Sequence, residues 1–198
     1  MIIPETLLKE YGGSFTKYAK EEYIFHEEDH PEFYCQVFEG SVKLSSFSDS
    51  GQEFIQGIFK RGESFGEPPV FGDFPYPNNA IALEESVIAK LPIKAFFDLL
   101  KKNHDIQQKF NYILSHRLKY KAMIMKEIAS YNPEHILMSL LKYIKHNDKL
   151  AMELDHIPYT RQQIADMTGL RVETVIRTIK KLNKDGRLTI KRHKIYLP

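Results

Sequence analysis

The sequence lacks several features that would point to particular classes of protein. It contains one cysteine, Cys35, among 198 residues. A single thiol cannot form an internal disulfide, and an iron–sulfur cluster needs about four thiolates. Neither is therefore expected within this chain, and a reducing cytoplasm is the expected compartment.

Long apolar segments are also missing. No apolar run approaches the ~20 residues that a membrane-spanning helix requires. The N-terminus carries Pro4, Glu5, Lys9 and Glu10, where a signal peptide would be apolar. No membrane partner is therefore expected. With 42% hydrophobic and 27% charged residues, the composition is ordinary for a soluble globular protein that can bury a core.

The small net charge of +2 hides an uneven distribution. Residues 1–103 carry 10 Lys and Arg against 17 Asp and Glu, a net charge of −7. Residues 104–130 carry 5 against 2, and residues 131–198 carry 13 against 7, net charges of +3 and +6. A basic C-terminal third beside an acidic body is typical of a protein that meets phosphate with one end. Taken alone, the same pattern also fits a solvated charged face.

The most informative stretch is residues 159–184, which predicts two short helices joined by a tight turn. Thr160, followed three residues later by Gln163, is a capping-box start. Gly169 lies where the chain must turn sharply, and glycine suits this position because it takes positive φ without steric cost. The second helix repeats apolar residues at helical spacing, at Val175, Ile179 and Leu182.

These features predict a helix-turn-helix whose second helix, residues 171–184, lies in the major groove of DNA. Arg177 can donate two hydrogen bonds to guanine O6 and N7, and Glu173 can accept one from cytosine N4. Their i, i+4 spacing puts both on one face, where each is expected to orient the other. An ordinary helical hairpin with a Glu173–Arg177 salt bridge is the alternative. The predicted base-reading residues are Val172, Glu173, Thr174 and Arg177, and the predicted phosphate contacts are Thr160, Arg161, Arg171, Lys180, Lys181, Lys191 and Lys194.

The acidic half of the chain alternates short β segments with turn signals. Glu39-Gly40 and residues 48–51 read as hairpin turns. Several short strands at regular spacing predict a small antiparallel roll or sandwich. A short lead helix is expected within residues 5–19. The predicted strands are residues 23–25, 33–38, 41–44, 54–59 and 87–91.

Residues 105–130 contain no proline or glycine and predict one long helix of ~25 residues, nearly 40 Å in length. Its apolar stripe needs a partner and includes Ile106, Phe110, Ile113, Leu114, Leu118, Met125 and Ile128. Tyr131-Asn132-Pro133 then breaks the helix and predicts a hinge. Beyond it we expect a helix over 134–146, a strand edge within 150–157 and a basic hairpin around Arg192-His193.

Three motifs together carry a family resemblance: Glu39-Gly40-Ser41-Val42-Lys43-Leu44, Arg61 to Glu67, and Gly169-Leu170-x-Val172-Glu173-Thr174-x-x-Arg177. They resemble the CRP/FNR family of bacterial transcription regulators, over nearly the whole chain. The resemblance implies an α+β fold in three segments. These are an N-terminal double-stranded β-roll of the cyclic-nucleotide-binding type at 1–103, a dimerisation helix at 104–131, and a winged helix-turn-helix at 132–198.

The resemblance also implies a regulator that binds DNA as a homodimer paired through residues 104–131. The CRP branch has an arginine where this chain has Val172, so the reading face resembles the FNR branch. That branch implies TTGA-like half-sites in an inverted repeat. The implied partners are double-stranded DNA, a second copy of the chain and, for an activator, RNA polymerase.

The roll departs from the family at the effector. Members that bind cyclic AMP have an Arg-Ser pair where this chain has Asn78-Asn79, and a Thr-Ser pair where it has Lys121 and Ala122. A neutral amide cannot replace the bidentate grip of an arginine on a phosphate. An effector other than cyclic AMP, or none, is therefore expected, in a pocket at Gly66, Glu67, Asn78, Asn79 and Lys121. No cofactor is predicted, although haem stays open because eight histidines are present.

Residues His26 to His30 satisfy the H-E-x-x-H pattern of zinc proteases, which requires both histidines on one helical face. A predicted strand before them and Pro31 after them favour a turn, so no metal site and no enzyme activity are expected. The alternative function is a regulatory module that binds a cyclic nucleotide or other small ligand and acts on a protein partner. Asn78-Asn79 and the basic C-terminal third argue against it.

Overall fold

The computed structural model describes residues 1–129 and 132–198. Within these residues the chain divides into two compact units, Met1–Leu114 and Ser115–Pro198. The three segments predicted from the sequence, 1–103, 104–131 and 132–198, stay a prediction. In the part of the chain that the structure describes, no helix is both long and apolar enough to cross a lipid bilayer.

Short strands dominate the first unit, as the turn signals predict. They are β1 (Ser14–Tyr18), β2 (Tyr23–Phe25), β3 (Phe33–Glu39), β4 (Ser41–Phe47), β5 (Glu53–Lys60), β6 (Ser64–Phe65), β7 (Asn79–Ala82) and β8 (Ser86–Pro92). Two antiparallel four-stranded sheets result, in the orders β1-β8-β3-β6 and β2-β7-β4-β5. The predicted antiparallel roll is confirmed.

Three of these strands are absent from the sequence prediction. The lead helix, α1, covers only Glu5–Glu10, and the chain then turns into β1, which pairs along its whole length with β8. The strands β6 and β7 are only two and four residues long. Pairing with a neighbour distant in sequence, rather than a local pattern, stabilises such short strands.

Three more helices begin in the first unit: α2 (Glu67–Gly72), α3 (Ile93–Lys102) and α4 (His104–Ala129). Aromatic rings from these helices and from β3 form much of the core. Tyr34 stacks on Phe96 with 4.6 Å between ring centroids, and Phe110 meets Phe96 edge-on at 5.4 Å. All three side chains are almost fully buried. Aromatic pairs of this kind stabilise a core by about 0.5–1.5 kcal/mol beyond the burial of their surface.

The apolar stripe of α4 is divided between two environments. Ile106 and Phe110 are buried in the core of the first unit, so they already have a partner within the chain. Leu118 and Met125, further along, are 70% and 72% exposed. The predicted end of the helix at Ser130 and the first hinge residue, Tyr131, lie outside the described residues.

The second unit contains the remaining elements. They are α5 (Pro133–Asn147), α6 (Lys149–Leu154), α7 (Arg161–Thr168), α8 (Val172–Lys184), β9 (Thr189–Lys191) and β10 (Lys194–Tyr196). Asn132 is the N-cap of α5, where its side chain accepts hydrogen bonds from the Glu134 and His135 N–H groups, and Pro133 is the first helical residue. The chain therefore leaves α4 and starts a new helix near the predicted break, while its role as a hinge stays a prediction.

The strand expected within 150–157 is wrong. Residues 149–154 form α6, and the side chain of its N-cap, Asp148, accepts hydrogen bonds from the Leu150 and Ala151 N–H groups. Only Ile157 pairs as an isolated bridge, with Ile195. A short apolar run fits a buried helix as well as a strand, and here the cap decides between them.

The turn between β3 and β4 generates a stability prediction. Gly40 has φ of +81°, and a Cβ atom there would lie 2.3 Å from Ser86 Oγ and 2.7 Å from the Glu85 carbonyl oxygen. Gly51 has φ of +77° but no atom within 4 Å of an added Cβ. We expect Gly51→Ala to cost only the left-handed backbone penalty, roughly 1–2 kcal/mol. For Gly40→Ala we expect roughly 1–3 kcal/mol of overpacking in addition.

Urea unfolding of the two variants and the parent protein measures this difference. If both variants lose the same free energy of unfolding, an added Cβ at position 40 does not clash with Ser86, and the prediction is wrong.

Candidate nucleic-acid interface

Helix α7 begins and ends as the sequence predicts. Thr160 Oγ1 accepts a hydrogen bond from the Gln163 N–H at 3.1 Å, and Gln163 Oε1 accepts one from the Thr160 N–H at 2.9 Å. This reciprocal pair is the predicted capping box. The helix ends at Gly169, with φ of +70°. Cap and turn therefore fix where the second helix starts.

Helix α8 buries one side and presents the other. Val175, Ile179 and Leu182 are at most 1% exposed, which confirms the predicted apolar stripe. Arg171 is the N-cap, so the helix starts one residue later than predicted. On the outer side, Glu173 and Arg177 are exposed, while Val172 and Thr174 are half-buried. The helix thus offers its N-terminal half to a ligand, as base reading in the major groove requires.

Two features of this face differ from the sequence expectation. Glu173 and Arg177 form no ion pair with each other among the described residues, so the expected mutual orientation is wrong for the free protein. Ile176, which the sequence reasoning missed, is 38% exposed. It lies between Val172 and Lys180 at i, i+4 spacing on the same face. An apolar residue outside the buried stripe was the signal that could have found it.

A carboxylate neutralises part of the basic surface. Glu134, at the start of α5, accepts a hydrogen bond from Lys181 on α8, and its other oxygen lies 3.4 Å from Arg187 Nη1. The hydrogen bond from Lys181 lowers the pKa of Glu134, and the same bond raises the pKa of Lys181. The predicted phosphate contact at Lys181 stays a prediction, and this lysine is already paired in the free protein.

Arg161 is also engaged within the unit. It is half-buried, and its guanidinium donates a hydrogen bond to the His193 carbonyl oxygen at 3.1 Å. Burial lowers the pKa of Arg161 below its ordinary value. The other predicted basic contacts are exposed and form no ion pair within residues 1–129 and 132–198: Arg171, Lys180, Lys191 and Lys194.

Of the predicted effector residues in the first unit, Gly66, Glu67 and Asn78 are buried and Asn79 is half-buried. Glu67, 1% exposed, accepts a hydrogen bond from Ser64 Oγ. Asn79 Oδ1 accepts from the Glu27 N–H at 3.0 Å, and its Nδ2 group donates to the Ser45 carbonyl oxygen at 3.4 Å. Asn78 is 4% exposed. Lys121 lies in the second unit, exposed on α4, and its place in an effector pocket stays a prediction.

Aromatic rings cover the backbone at the start of α2. Phe25 and Tyr76 stack face to face, with 3.6 Å between ring centroids and 6° between ring planes. A Cβ atom added to Gly66 would lie 3.0 Å from each ring. The Tyr76 side chain is part of the core, and its burial raises the pKa of the hydroxyl. Two aromatic side chains thus pack against the glycine of the corner that the resemblance assigns to a cyclic phosphate.

Two other sequence features resolve into ordinary structure. Residues 26–30 form a turn in which Asp29 Oδ2 accepts a hydrogen bond from the His26 N–H at 2.9 Å. The zinc-protease motif requires both histidines on one helical face, and in this turn they do not share one. Cys35 is 4% exposed, and burial raises the pKa of its thiol to about 12. A thiol in this state is a small apolar core group.

Comparison with known families agrees with both halves of the chain. Residues 15–103 match the cyclic nucleotide-binding domain, and residues 135–198 match the Crp-like helix-turn-helix domain. The fumarate and nitrate reduction regulatory protein of Salmonella typhi is 25% identical over 155 residues. The alignment covers 77% of this chain and 62% of that relative's length. The corresponding protein of Escherichia coli K12 is 24% identical over the same span.

Solved structures share the fold. FixK2 from Bradyrhizobium japonicum superposes with a TM-score of 0.75 and 20% identity, over 93% of this chain and 92% of that one. The c-di-GMP responsive global regulator CLP from Xanthomonas campestris superposes with a TM-score of 0.74 and 19% identity, over 98% of this chain and 99% of that one. A CooA variant from Carboxydothermus hydrogenoformans superposes with a TM-score of 0.77 and 18% identity, over 98% of this chain and 86% of that one.

Proposed function

Because this chain belongs to the CRP/FNR family, we propose that it is a sequence-specific DNA-binding transcription regulator. The observation that carries the proposal is α8, which buries Val175 and Ile179 and exposes Glu173 and Arg177 beside a turn of helix-turn-helix geometry. The matching relatives are regulatory proteins by name, and the helix-turn-helix match covers the same residues. A role confined to ligand binding would leave this basic face without a use.

The reading face supports an inverted repeat of TTGA-like half-sites. Arg177 can pair with the guanine, and Glu173 can accept from the N4 group of a cytosine on the same surface. Neither side chain is held by the other in the free protein, so both are available to the bases. Val172 and Ile176 add apolar atoms that suit thymine methyl groups.

The exposed part of α4 supports the proposal of a homodimer. Leu118 and Met125 are 70% and 72% exposed and seven residues apart, which is the spacing of a coiled-coil seam. Large apolar side chains that recur on one exposed helix face mark a surface suited to a protein partner. We therefore propose that a second copy of α4 covers them. The two recognition helices would then read half-sites about one helical turn apart.

The roll supports an effector other than cyclic AMP, or none. The cyclic phosphate would need a cation where Asn78 and Asn79 stand, and Asn79 already hydrogen-bonds Glu27 and Ser45. The Phe25–Tyr76 stack also fills the corner against Gly66. Haem as an alternative effector gains no specific support from the described residues.

As a member of this family acting on promoters, the protein would work in the cytoplasm and, if it activates, would contact RNA polymerase. Met152 and Leu154 on α6 are 50% and 44% exposed. Each is an exposed apolar side chain of the DNA-binding unit that is available for such a contact.

The base-reading role of Arg177 can be tested directly. In fluorescence anisotropy at fixed salt, Arg177→Ala should weaken binding to a duplex with inverted TTGA half-sites by ~1–3 kcal/mol. On a duplex with the guanine replaced, Arg177→Ala should weaken binding only slightly, because the bidentate contact with guanine is already absent there. Equal losses on both duplexes would overturn the role.

Lys180→Ala is the matched control, since Lys180 is exposed on the same helix. Its loss should be the same on both duplexes, and it should reduce the salt dependence of binding by about one phosphate contact.

The dimer is tested by placing a charge in the proposed seam. Leu118→Glu should convert the protein to a monomer in sedimentation velocity and lower its affinity for the two-half-site duplex. Because Leu118 is exposed within its chain, the substitution should change the free energy of unfolding of the single chain by no more than about 0.5 kcal/mol. Lys119→Glu, which introduces the same side chain on a neighbouring face, should stay dimeric. A monomeric parent protein would contradict the proposal.

The effector prediction concerns 3′,5′-cyclic AMP. Saturating a binding site stabilises a folded protein, by about 2.7 kcal/mol at a ligand concentration of 100 Kd. We therefore expect cyclic AMP to leave the midpoint of thermal unfolding unchanged and to produce no heat of binding in calorimetry. The same sample should bind operator DNA, which shows that it is active. A saturable calorimetric response would refute this part of the proposal.

A further inference from the structure

The second unit contains an open cleft between α6, the start of α7 and the β9–β10 hairpin. Its volume is about 490 Å³, and small-molecule sites in proteins occupy roughly 300–1,000 Å³. Leu154 lines the cleft and is 44% exposed, so its side chain is open to a ligand. Four of the lining residues are apolar: Leu150, Leu154, Ile157 and Pro158. These side chains suit the apolar body of a small molecule.

The charged residues of the lining are all basic. No Asp or Glu lines the cleft among the residues that the structure describes, and Glu153 is exposed on α6 outside it. Two further carboxylates close by in sequence are already paired. Asp148 accepts a hydrogen bond from the Tyr159 hydroxyl, and Asp155 accepts one from Lys145. An anion in the cleft would therefore meet cations and polar groups only: His156, Tyr159, Thr160, Arg161, His193 and Lys194.

Arg161 is a half-buried cation of this lining. Within the described part of the chain, its guanidinium donates to the His193 carbonyl oxygen at 3.1 Å and forms no ion pair. Burial lowers the pKa of Arg161, because the water lost from the guanidinium is not replaced by an anion. Arg161 is also the first residue of α7, where the helix dipole favours negative charge. The most favourable place for an anion in the cleft is therefore beside Arg161.

We propose that this cleft binds a small organic acid, with its carboxylate on Arg161 and its apolar body against Leu150 and Leu154, and that the acid weakens DNA binding. The proposal rests on the proposed function, because Arg161 is also a predicted phosphate contact. A guanidinium in a bidentate pair with a carboxylate cannot offer the same donors to a phosphate. A DNA phosphate alone would use the cations of the cleft and leave its apolar residues unused. The DNA-binding unit would thus have an inhibitory input of its own, separate from the roll.

Binding of the acid is tested first without DNA, on the full chain, with octanoate as the probe. Calorimetry should show saturable binding of octanoate to the parent protein. Acetate carries the same charge without the apolar body, and 1-octanol carries the body without the charge. We expect each to bind at least about tenfold more weakly than octanoate, because each loses one of the two contacts.

The effect on DNA is measured by fluorescence anisotropy with a duplex of inverted TTGA half-sites at constant ionic strength. Octanoate should weaken binding by the parent protein, and the effect should level off when the cleft is saturated. Arg161→Gln should bind the duplex more weakly than the parent protein, because it lacks the phosphate contact. Octanoate should then weaken binding by this variant no further.

Leu154→Asn separates the cleft from the DNA contact. Leu154 is exposed, so the variant should fold and bind the duplex as the parent protein does. Its sensitivity to octanoate should fall by about tenfold, because the apolar contact is lost. Met152→Asn is the matched control, since Met152 is 50% exposed on the same helix and does not line the cleft. This control should keep the full response to octanoate.

Three results would overturn the proposal. Octanoate that binds no more tightly than acetate would show that the apolar residues have no role. Leu154→Asn with undiminished sensitivity would place the acid elsewhere. Equal inhibition of the parent protein and Arg161→Gln would indicate a general effect of anions. A parent protein that binds octanoate in calorimetry but does not prefer TTGA over scrambled half-sites would instead contradict the proposed function of α8, so the two failures are distinguishable.

Discussion

The packing of α8 is the interaction on which the surface of the second unit depends. A helix turns once every 3.6 residues, so burying Val175, Ile179 and Leu182 sets the direction of every other side chain on it. Glu173, Ile176 and Arg177 face outward for that reason alone. The cap at Thr160 and the turn at Gly169 decide where the helix starts. The three buried side chains therefore determine which residues of α8 are exposed, although they are not exposed themselves.

Electrostatics then divides the basic surface into two classes of residue. The formal net charge of +6 over residues 131–198 treats every lysine and arginine alike. In the folded unit, Glu134 lies against Lys181 and Arg187 near the end of α8, so part of that charge is compensated. Arg177 and the hairpin tip at residues 191–194 meet no such carboxylate among the described residues. The uncompensated charge that a polyanion would meet thus includes Arg177 and Lys180 on α8 and the hairpin tip at residues 191–194.

The parts of the structure that the sequence predicts are those set by local chemistry. The capping box at Thr160, the turn at Gly169 and the buried stripe of α8 each follow from residues a few positions apart. The strands β6 and β7, by contrast, are stabilised by partners far along the chain, and α6 was mistaken for a strand because an apolar run fits both. The Glu134–Lys181 pair joins residues 47 positions apart. No periodic pattern encodes such a pair, so only the folded arrangement reveals which cations are compensated.

The effector motif shows why a retained sequence motif is weak support for a retained ligand. Gly66 has φ of +71°, so the backbone conformation by itself favours glycine there. Glu67 is buried and accepts a hydrogen bond from Ser64, so its carboxylate has a structural partner without any nucleotide. The stacked rings of Phe25 and Tyr76 pack against Gly66. Each motif residue is thus explained by the roll itself. Asn78 and Asn79, at the positions that would bind the phosphate, carry no positive charge, and this is what supports the proposal of an effector other than cyclic AMP, or none.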